Sequence, residues 1–367
     1  MSLSACSLLA IVLSGGIVAQ TKPSPSNGQR CEQCHGMPSR FGSSPLTVQR
    51  VGNMVAGKFI PGVEGGVLHR NGSSGGAYAE NQLAGERVSL SLLGDGYIEA
   101  IADQDIERNA REQRRLRTSV AGQVVAAPVL ESRPPGTNDR LAMRPGRFGW
   151  KSQHATLTSA CADSLRNELG IRNRLYPDEY ANHQAAAGPT PLDTADPTNG
   201  ETELQQLVEE IRRTSPPERD RRLARGAEAQ AGEKLFAEIG CALCHVATYK
   251  TLRAGTLING GTYSVTSLIG DKTIHPYSDF LLHDIGTGDR IPQAAIPELL
   301  DQSTAMEFRT PALWGLRFRS WMMHDGKSKI PEDAIKRHAG EATEIRKRYE
   351  RLTSVQKAQV QSFLNSL

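Results

Sequence analysis

The sequence predicts a mainly α chain in two halves with long loops, and three observations predict it. The pentapeptide Cys-x-x-Cys-His occurs twice, as Cys31, Cys34 and His35 in "CEQCHG" and as Cys241, Cys244 and His245 in "GCALCHVATY", and each copy opens one half of the chain. Apolar residues recur at helical spacing in several segments, while period-two strand patterns are few. Gly and Pro are plentiful, 35 and 20 among 367 residues, so long loops are expected between short helices.

Residues 1–22 read as a signal-like segment. Ser7 to Ala19 is apolar but too short to span a bilayer, and Ile17-Val18-Ala19 resembles a cleavage site. The charged start of such a segment is missing, since the first basic residue is Lys22. Leu3-Ser4-Ala5-Cys6 has the spelling of a lipidation box but precedes the apolar stretch, so membrane anchoring is left open. A periplasmic or otherwise exported protein is the expectation.

The first half, 23–215, begins with turn-rich segments and a Gly/Ser-rich loop from Gly62 to Gly76 with His69 in its middle. A helix is expected from about Tyr97 into the arginine run "ERNAREQRRLR". Pro134-Pro135-Gly136 breaks the chain, a further element starts around Trp150, and Ser159 to Leu169 reads as a helix stopped by Gly170. After an Ala/Pro/Thr-rich loop, Leu204, Leu207, Val208 and Ile211 recur at i, i+3, i+4 and i+7. The boundary is placed near Pro216-Pro217.

The second half, 216–367, opens with an amphipathic helix from Ala229 to Gly240, running directly into Cys241. Pro331 suits the first position of a helix on which Ile335 and His338 share a face before Gly340. Ile345, Tyr349 and Leu352 form the stripe of the next helix, and Thr353 with Gln356 spells a capping box for the last.

Cys-x-x-Cys-His is the attachment signature of c-type haem: two thiols add to the porphyrin vinyl groups and the adjacent histidine ligates iron. Chance predicts about 0.002 such pentapeptides at this composition. A zinc site would need its ligands clustered, whereas 210 residues separate the two pairs. Two covalently bound haem c groups are therefore expected, held by Cys31, Cys34, His35 and by Cys241, Cys244, His245. The fold expectation becomes two cytochrome c-like haem domains. Large apolar macrocycles would also account for an aromatic content of only 5%. A net charge of +3 gives no argument for nucleic acid. The arginine run reads as a solvated helix face, with a docking surface for an acidic partner as the competing reading.

Further segments carry a resemblance. "EFRTPALWGLRFRSWMMHDGKSKIPEDAIKRHAGEA", "PYSDFLLHDIGTG", "GRFGWKSQ" and "GDGYIEAI", together with both motifs, closely resemble the bacterial di-haem oxidoreductase family. Its members carry the labels thiol oxidoreductase and peroxidase, and it is related to the di-haem cytochrome c peroxidases. In those relatives an Arg-Thr-Pro segment and a His-Asp-Gly turn pack against the second haem. The resemblance thus implies roles for Arg309 and His324, and it places His338 where a sixth ligand, often methionine there, is expected. Met322 and Met323 compete for that role but read as packing. Trp150 resembles a tryptophan that lies between the haems in the relatives, with core packing as the competing reading.

For the first haem, His69 is the candidate sixth or distal ligand, because a Gly-rich loop could swing it on and off the iron. A solvated loop histidine is the competing reading. Glu99, a carboxylate flanked by apolar residues, is the candidate distal base if burial raises its pKa. In the relatives the distal glutamate follows the tryptophan segment instead of preceding it.

Three functions are expected to compete. The first is a cytochrome c peroxidase-like enzyme in which electrons pass from the C-terminal haem to the N-terminal haem. Its partners would be a small redox donor, a cytochrome c or cupredoxin-like protein, and a small oxidant such as peroxide. The second is a di-haem electron carrier with both irons closed. The third is a thiol oxidoreductase, for which the chain offers only Cys161 as a spare thiol.

Overall fold

The computed structural model describes residues 31, 35–44, 46–61, 67–69, 82–133, 140–169, 171–176 and 201–367. The signal-like segment with Cys6, and also Cys34, lie outside the described residues. Helix accounts for 39% and strand for 17%, spread over several small sheets. The expected mainly α fold is therefore corrected, and the described elements do not show cytochrome c-like domains.

The strands concentrate where turns and loops were expected. β1 (Thr47–Val55) is flanked on one edge by β4 (Gln82–Val88) and on the other by β2 (Lys58–Pro61) and β3 (Val67–His69), all antiparallel. β1 and β2 are joined by Ala56 and Gly57 at φ 48° and 76°. That is the left-handed pair a two-residue hairpin turn requires. At Gly52 a Cβ would come within 2.3 Å of the Phe59 ring, so the missing side chain lets Phe59 lie across the strand. These strands escaped the reading because the valines of β1, at 48, 51 and 55, do not alternate. β3 has only three residues, set in a glycine-rich stretch.

The first helix is divided in two. α1 (Asp95–Glu99) and α2 (Asp103–Leu116) are separated at Ile101, which bridges to Thr251. Asp103 is tied there to Arg144 at 2.8 Å. α3 (Leu157–Leu169) and α4 (Glu201–Arg212) follow, with Leu204, Leu207, Val208 and Ile211 buried as their spacing predicts.

α5 (Arg221–Ala224) precedes α6 (Ala227–Glu238). Pro331 stands in the first turn of α7 (Pro331–Lys336), followed by α8 (Thr343–Glu350) and α9 (Ser354–Ser366). The capping box of α9 is formed, with the Gln356 amide donating to Thr353 Oγ1 and the Thr353 amide to Gln356 Oε1. α6 crosses α9 so closely that a Cβ on Gly232 would meet the Gln359 carbonyl at 1.9 Å. Phe236 and Phe363 fill the crossing with ring centroids 5.2 Å apart.

The larger core draws on both sides of Pro216, joining Ile106, Leu165 and Leu204 to Tyr249, Phe280 and Trp314. Among the described residues, no helix is long and apolar enough to cross a membrane.

Candidate functional site

In both motifs the histidine amide donates to the carbonyl of the first cysteine. The His245 amide donates to the Cys241 carbonyl at 2.9 Å, and the His35 amide to the Cys31 carbonyl at 2.8 Å. For the later copy, α6 ends at Gly240, whose φ of 104° turns the chain into a 3₁₀ turn over Cys241–Leu243. Each turn opens on its own cavity, here called A for the later motif and B for the earlier.

Cavity A is lined by Cys241, Cys244 and His245 and by His338 on α7's C-terminal flank. The Nδ1 of His245 lies 3.0 Å from the Tyr277 carbonyl, and that of His338 lies 2.7 Å from the Ala334 carbonyl. A carbonyl only accepts, so both Nδ1 atoms carry the hydrogen and both Nε2 atoms keep a lone pair. Desolvation, with the neighbouring His338 imidazole, pushes His245 down to about 4, and desolvation also lowers His338. Two neutral imidazoles fixed in the ligating tautomer thus share one cavity.

The rest of cavity A is mostly apolar, with hydroxyls such as Ser43, Ser91 and Thr310 and the cations Arg309, Arg319 and Arg346, and no described residue lining it is Asp or Glu. Desolvation pushes Arg309 down to about 10 and, helped by the charge of Arg309, Arg319 to about 10. Arg309 is fixed by its Nε donating to the Gly149 carbonyl at 2.7 Å. His324 also lines the cavity, its ring stacked on Phe308 at 3.6 Å and its Nε2 donating to the Thr287 carbonyl at 2.7 Å. Lys151 covers Phe308 at 3.9 Å, and Trp150 stands edge-on to Phe308 and His324. Met322 and Met323 line the same cavity.

His283 carried no role in the sequence reading, yet it lies at this wall beside the Cys244 thiol at 3.8 Å. Burial opposes its charge, but the Asp279 carboxylate at 2.8 Å holds its pKa well above the ordinary value, with Glu341 at 2.8 Å on the other nitrogen. Cys244, Asp279 and His283 bring possible ligand atoms within 4.8 Å of one another. An imidazolium with both nitrogens on carboxylates offers no lone pair, so the cluster is a charge network and not a metal site. The motif "LLHDIG" alone gave no sign of its partners, which arrive from four residues upstream and from Glu341.

Cavity B is lined by Cys31 and His35, with His154, Asp163, Glu168 and Asp95 among its polar groups. Desolvation pushes His35 down to about 4. Along α3 the cavity wall runs from Leu157, Ala160 and Cys161 past Asp163, Ser164 and Leu165 to Glu168, so it is apolar at the start of the helix and acidic towards its end. Burial and the nearby charge of Asp163 push Glu168 up to about 7. Asp163 goes the other way: burial opposes it, but the bond to His154 at 3.3 Å lowers its pKa. Burial raises Asp95 to about 7, against the attraction of Arg309. Cys161 lines this cavity as a thiol whose pKa burial pushes up, so it stays protonated.

The structure handles the remaining candidates differently. β3 puts His69 in register with Val48, a residue of the cavity B wall, while the His69 side chain lies outside the described residues. Glu99 lines neither cavity: it is fully buried and bonded to Arg212 at 2.8 Å, to the Leu157 amide at 2.9 Å and to Asn259 at 2.9 Å. Burial would raise its pKa, but Arg212 overrides this and lowers it. A carboxylate locked as an ion at the start of α3 does not act as a raised-pKa base, which corrects the expectation for Glu99. Trp150 and Arg309 line both cavities, together with Val88–Ser91. Trp150 is held in that common wall by its Nε1 donating to the Val88 carbonyl at 2.7 Å.

A family model described as "Di-haem oxidoreductase, putative peroxidase" matches residues 69–367. The chain belongs to this di-haem oxidoreductase family. The match includes the second motif, while the first precedes it. As a di-haem oxidoreductase the chain is a haem-dependent redox protein, and cavity A fits that cofactor on its own evidence. It offers two neutral imidazoles to iron, apolar walls to a macrocycle, and two desolvated guanidiniums to acidic side groups. No curated protein matches the chain. Among solved structures, it is similar to Kuenenia stuttgartiensis hydrazine synthase pressurised with 20 bar xenon. The identity is 19% over 47% of this chain and 56% of that one, with a TM-score of 0.30, too distant to carry over fold or activity.

Proposed function

We propose that this di-haem oxidoreductase carries two covalent haem c groups and works as a peroxidase of the cytochrome c peroxidase kind. Cys31, Cys34 and His35 would hold one haem, and Cys241, Cys244 and His245 the other, with His338 as its sixth ligand. Electrons would enter at the C-terminal site and be used at the N-terminal site to reduce a small oxidant such as peroxide. The observation that carries this reading is the contrast of the cavities: His245 and His338 line A with no Asp or Glu among its described residues, whereas His35 lines B together with Asp163 and Glu168, carboxylates of split pKa.

Haem supplies one-electron redox chemistry and, where a sixth position is open, a place for the oxidant. The chain supplies the rest. Cleaving an O–O bond requires a proton to be taken from one oxygen and returned to the other. Glu168, at about 7, can do both near neutral pH. This moves the role expected of Glu99 to a carboxylate that follows Trp150 in sequence. Trp150, on the common wall, is the aromatic group suited to relay electrons between the sites. Arg309 and Arg319 would neutralise cofactor carboxylates, and His283 with Asp279 would fix charge at the thioether edge. The apolar leader and two attachment motifs support an exported protein.

Absorption and EPR spectra of the oxidised and half-reduced protein, followed by peroxide, test the reading. We expect one low-spin site with histidine on both sides of iron and one site that is open or opens on half-reduction, with peroxide consumed. Two permanently low-spin sites that neither bind cyanide nor react with peroxide would leave the electron-carrier reading instead.

A further inference from the structure

The arginine run is not used by either cavity, yet α2 presses its opposite face onto the second motif. Gln113 donates to the carbonyl of Leu243, the residue between Cys241 and Cys244, at 2.7 Å. One helical step beyond it, Arg114, Arg115 and Arg117 are exposed and have no carboxylate partner among the described residues, whereas Arg108 and Arg111 are paired within the helix. Leu116, 54% exposed, stands among the three unpaired cations.

α8 flanks the same turn from its other end. Arg348 NH1 reaches the Ile239 carbonyl at 3.4 Å, and Ile345 lies against Gly240. Arg348 and the exposed Arg351 make no ion pair among the described residues, although both act at longer range on Glu344, while Lys347 is paired with Glu344 and Arg346 with Glu350. Glu112 is the one exposed acid of α2 left without a described pair. The residues from Cys241 to Ala247 are themselves half-exposed, so the attachment turn sits near the surface between two sets of cations.

We propose that this basic collar, centred on Leu116, is the docking surface for an acidic electron-donor protein that reduces the C-terminal site. The inference rests on the redox reading given above. Three arginines and two flanking ones attract an acidic face over a Debye length, and an exposed leucine within a charged rim supplies a desolvated centre of contact. Cations in the last turn of a helix also offset its dipole, so it is their joint placement with Arg348 and Arg351 around the second motif that points to docking.

The test uses the haem-loaded full chain, with the acidic one-electron carrier flavodoxin, fully reduced, as protein donor and reduced methyl viologen as small cationic donor. Stopped-flow reduction by flavodoxin should slow as salt rises. It should fall roughly tenfold or more at low salt in an Arg114→Glu/Arg115→Glu/Arg117→Glu variant. An Arg221→Glu/Arg222→Glu/Arg225→Glu variant makes the same change of net charge on α5, which packs on α9. It should lose less than about twofold. Reduction by methyl viologen should be undiminished in both variants, which also shows that the sites remain intact. Equal flavodoxin rates in the wild type and the α2 variant overturn the proposal, as does an equal loss in the α5 variant. Loss of binding to vesicles of anionic phospholipid with flavodoxin rates unchanged overturns it in favour of a membrane. If methyl viologen reduces neither site, it is the redox reading that fails, not the docking surface.

Discussion

Cavities A and B each begin at a motif whose histidine amide donates to the carbonyl of its first cysteine. Their walls differ in acids. Among its described lining residues A has a second neutral imidazole, His338, and Arg319 but no carboxylate, whereas B has Glu168, Asp163 and Asp95 beside Arg87 and His154, and Arg309 lines both. On the proposed reading the pentapeptide sets where a cofactor attaches, while the rest of the wall sets whether a proton can be delivered there. If so, opening A should not make it a peroxidase. His338→Ala is expected to convert the second site from low spin to a cyanide-binding form, the largest spectral change of any single substitution here. Peroxide turnover should not rise, because no carboxylate lines that cavity. A gain in turnover from the opened site would break the comparison.

The corresponding change in B removes its proton carrier. Glu168→Gln is expected to lower peroxide turnover by about 10²- to 10⁴-fold while the spectrum of the C-terminal site is kept. In the wild type, turnover should rise with pH through about 7 as the Glu168 carboxylate forms, and the variant should lack this step. Stability runs the other way. The folded chain holds this proton more tightly than the unfolded one, so stability falls as pH rises from the ordinary carboxylate range to about 7. Denaturant melts at pH 5 and 8 should show that slope in the wild type and a shallower one in the variant, where Asp95, also raised to about 7, still contributes.

Glu99 sharpens the contrast between a carboxylate that reacts and one that holds the fold. Glu99→Ala leaves Arg212 buried without its partner and should cost about 3–5 kcal/mol, read as a lower denaturation midpoint. Peroxide turnover per folded molecule should be unchanged.

The sequence made the attachment points legible because two thiols and an imidazole must lie on one turn, and that spacing is local. The helices around the second motif were legible for the same reason: the stripe of α6, the proline of α7 and the capping box of α9 are short-range signals. What escaped is long-range. The sheet β1–β4 depends on pairing between residues that do not alternate, such as Val48 with Arg87. Glu99 looked like a raised-pKa acid because its sequence neighbours are apolar, but the charge that decides its pKa is Arg212, 113 residues away. Glu168 stands near the end of a helix that is visible in the sequence, but that this helix lines a cavity is known only from the fold. His283 was passed over because Glu341 arrives from 58 residues downstream.

The smallest expected effect concerns the wall that the two cavities share. Trp150 makes one hydrogen bond from Nε1 to the Val88 carbonyl and packs edge-on against Phe308 and His324. Trp150→Phe keeps an aromatic ring but leaves that carbonyl without this donor, a loss of about 1 kcal/mol. Both sites should keep their spectra, because no group proposed to ligate iron is touched. What should change is the redistribution of electrons after half-reduction: flash reduction followed at two wavelengths should show slower equilibration between the sites than in the wild type. If equilibration keeps its rate while stability falls, Trp150 packs the wall and the electrons take another course, through the Val88–Ser91 segment or the Arg309 side of the same wall.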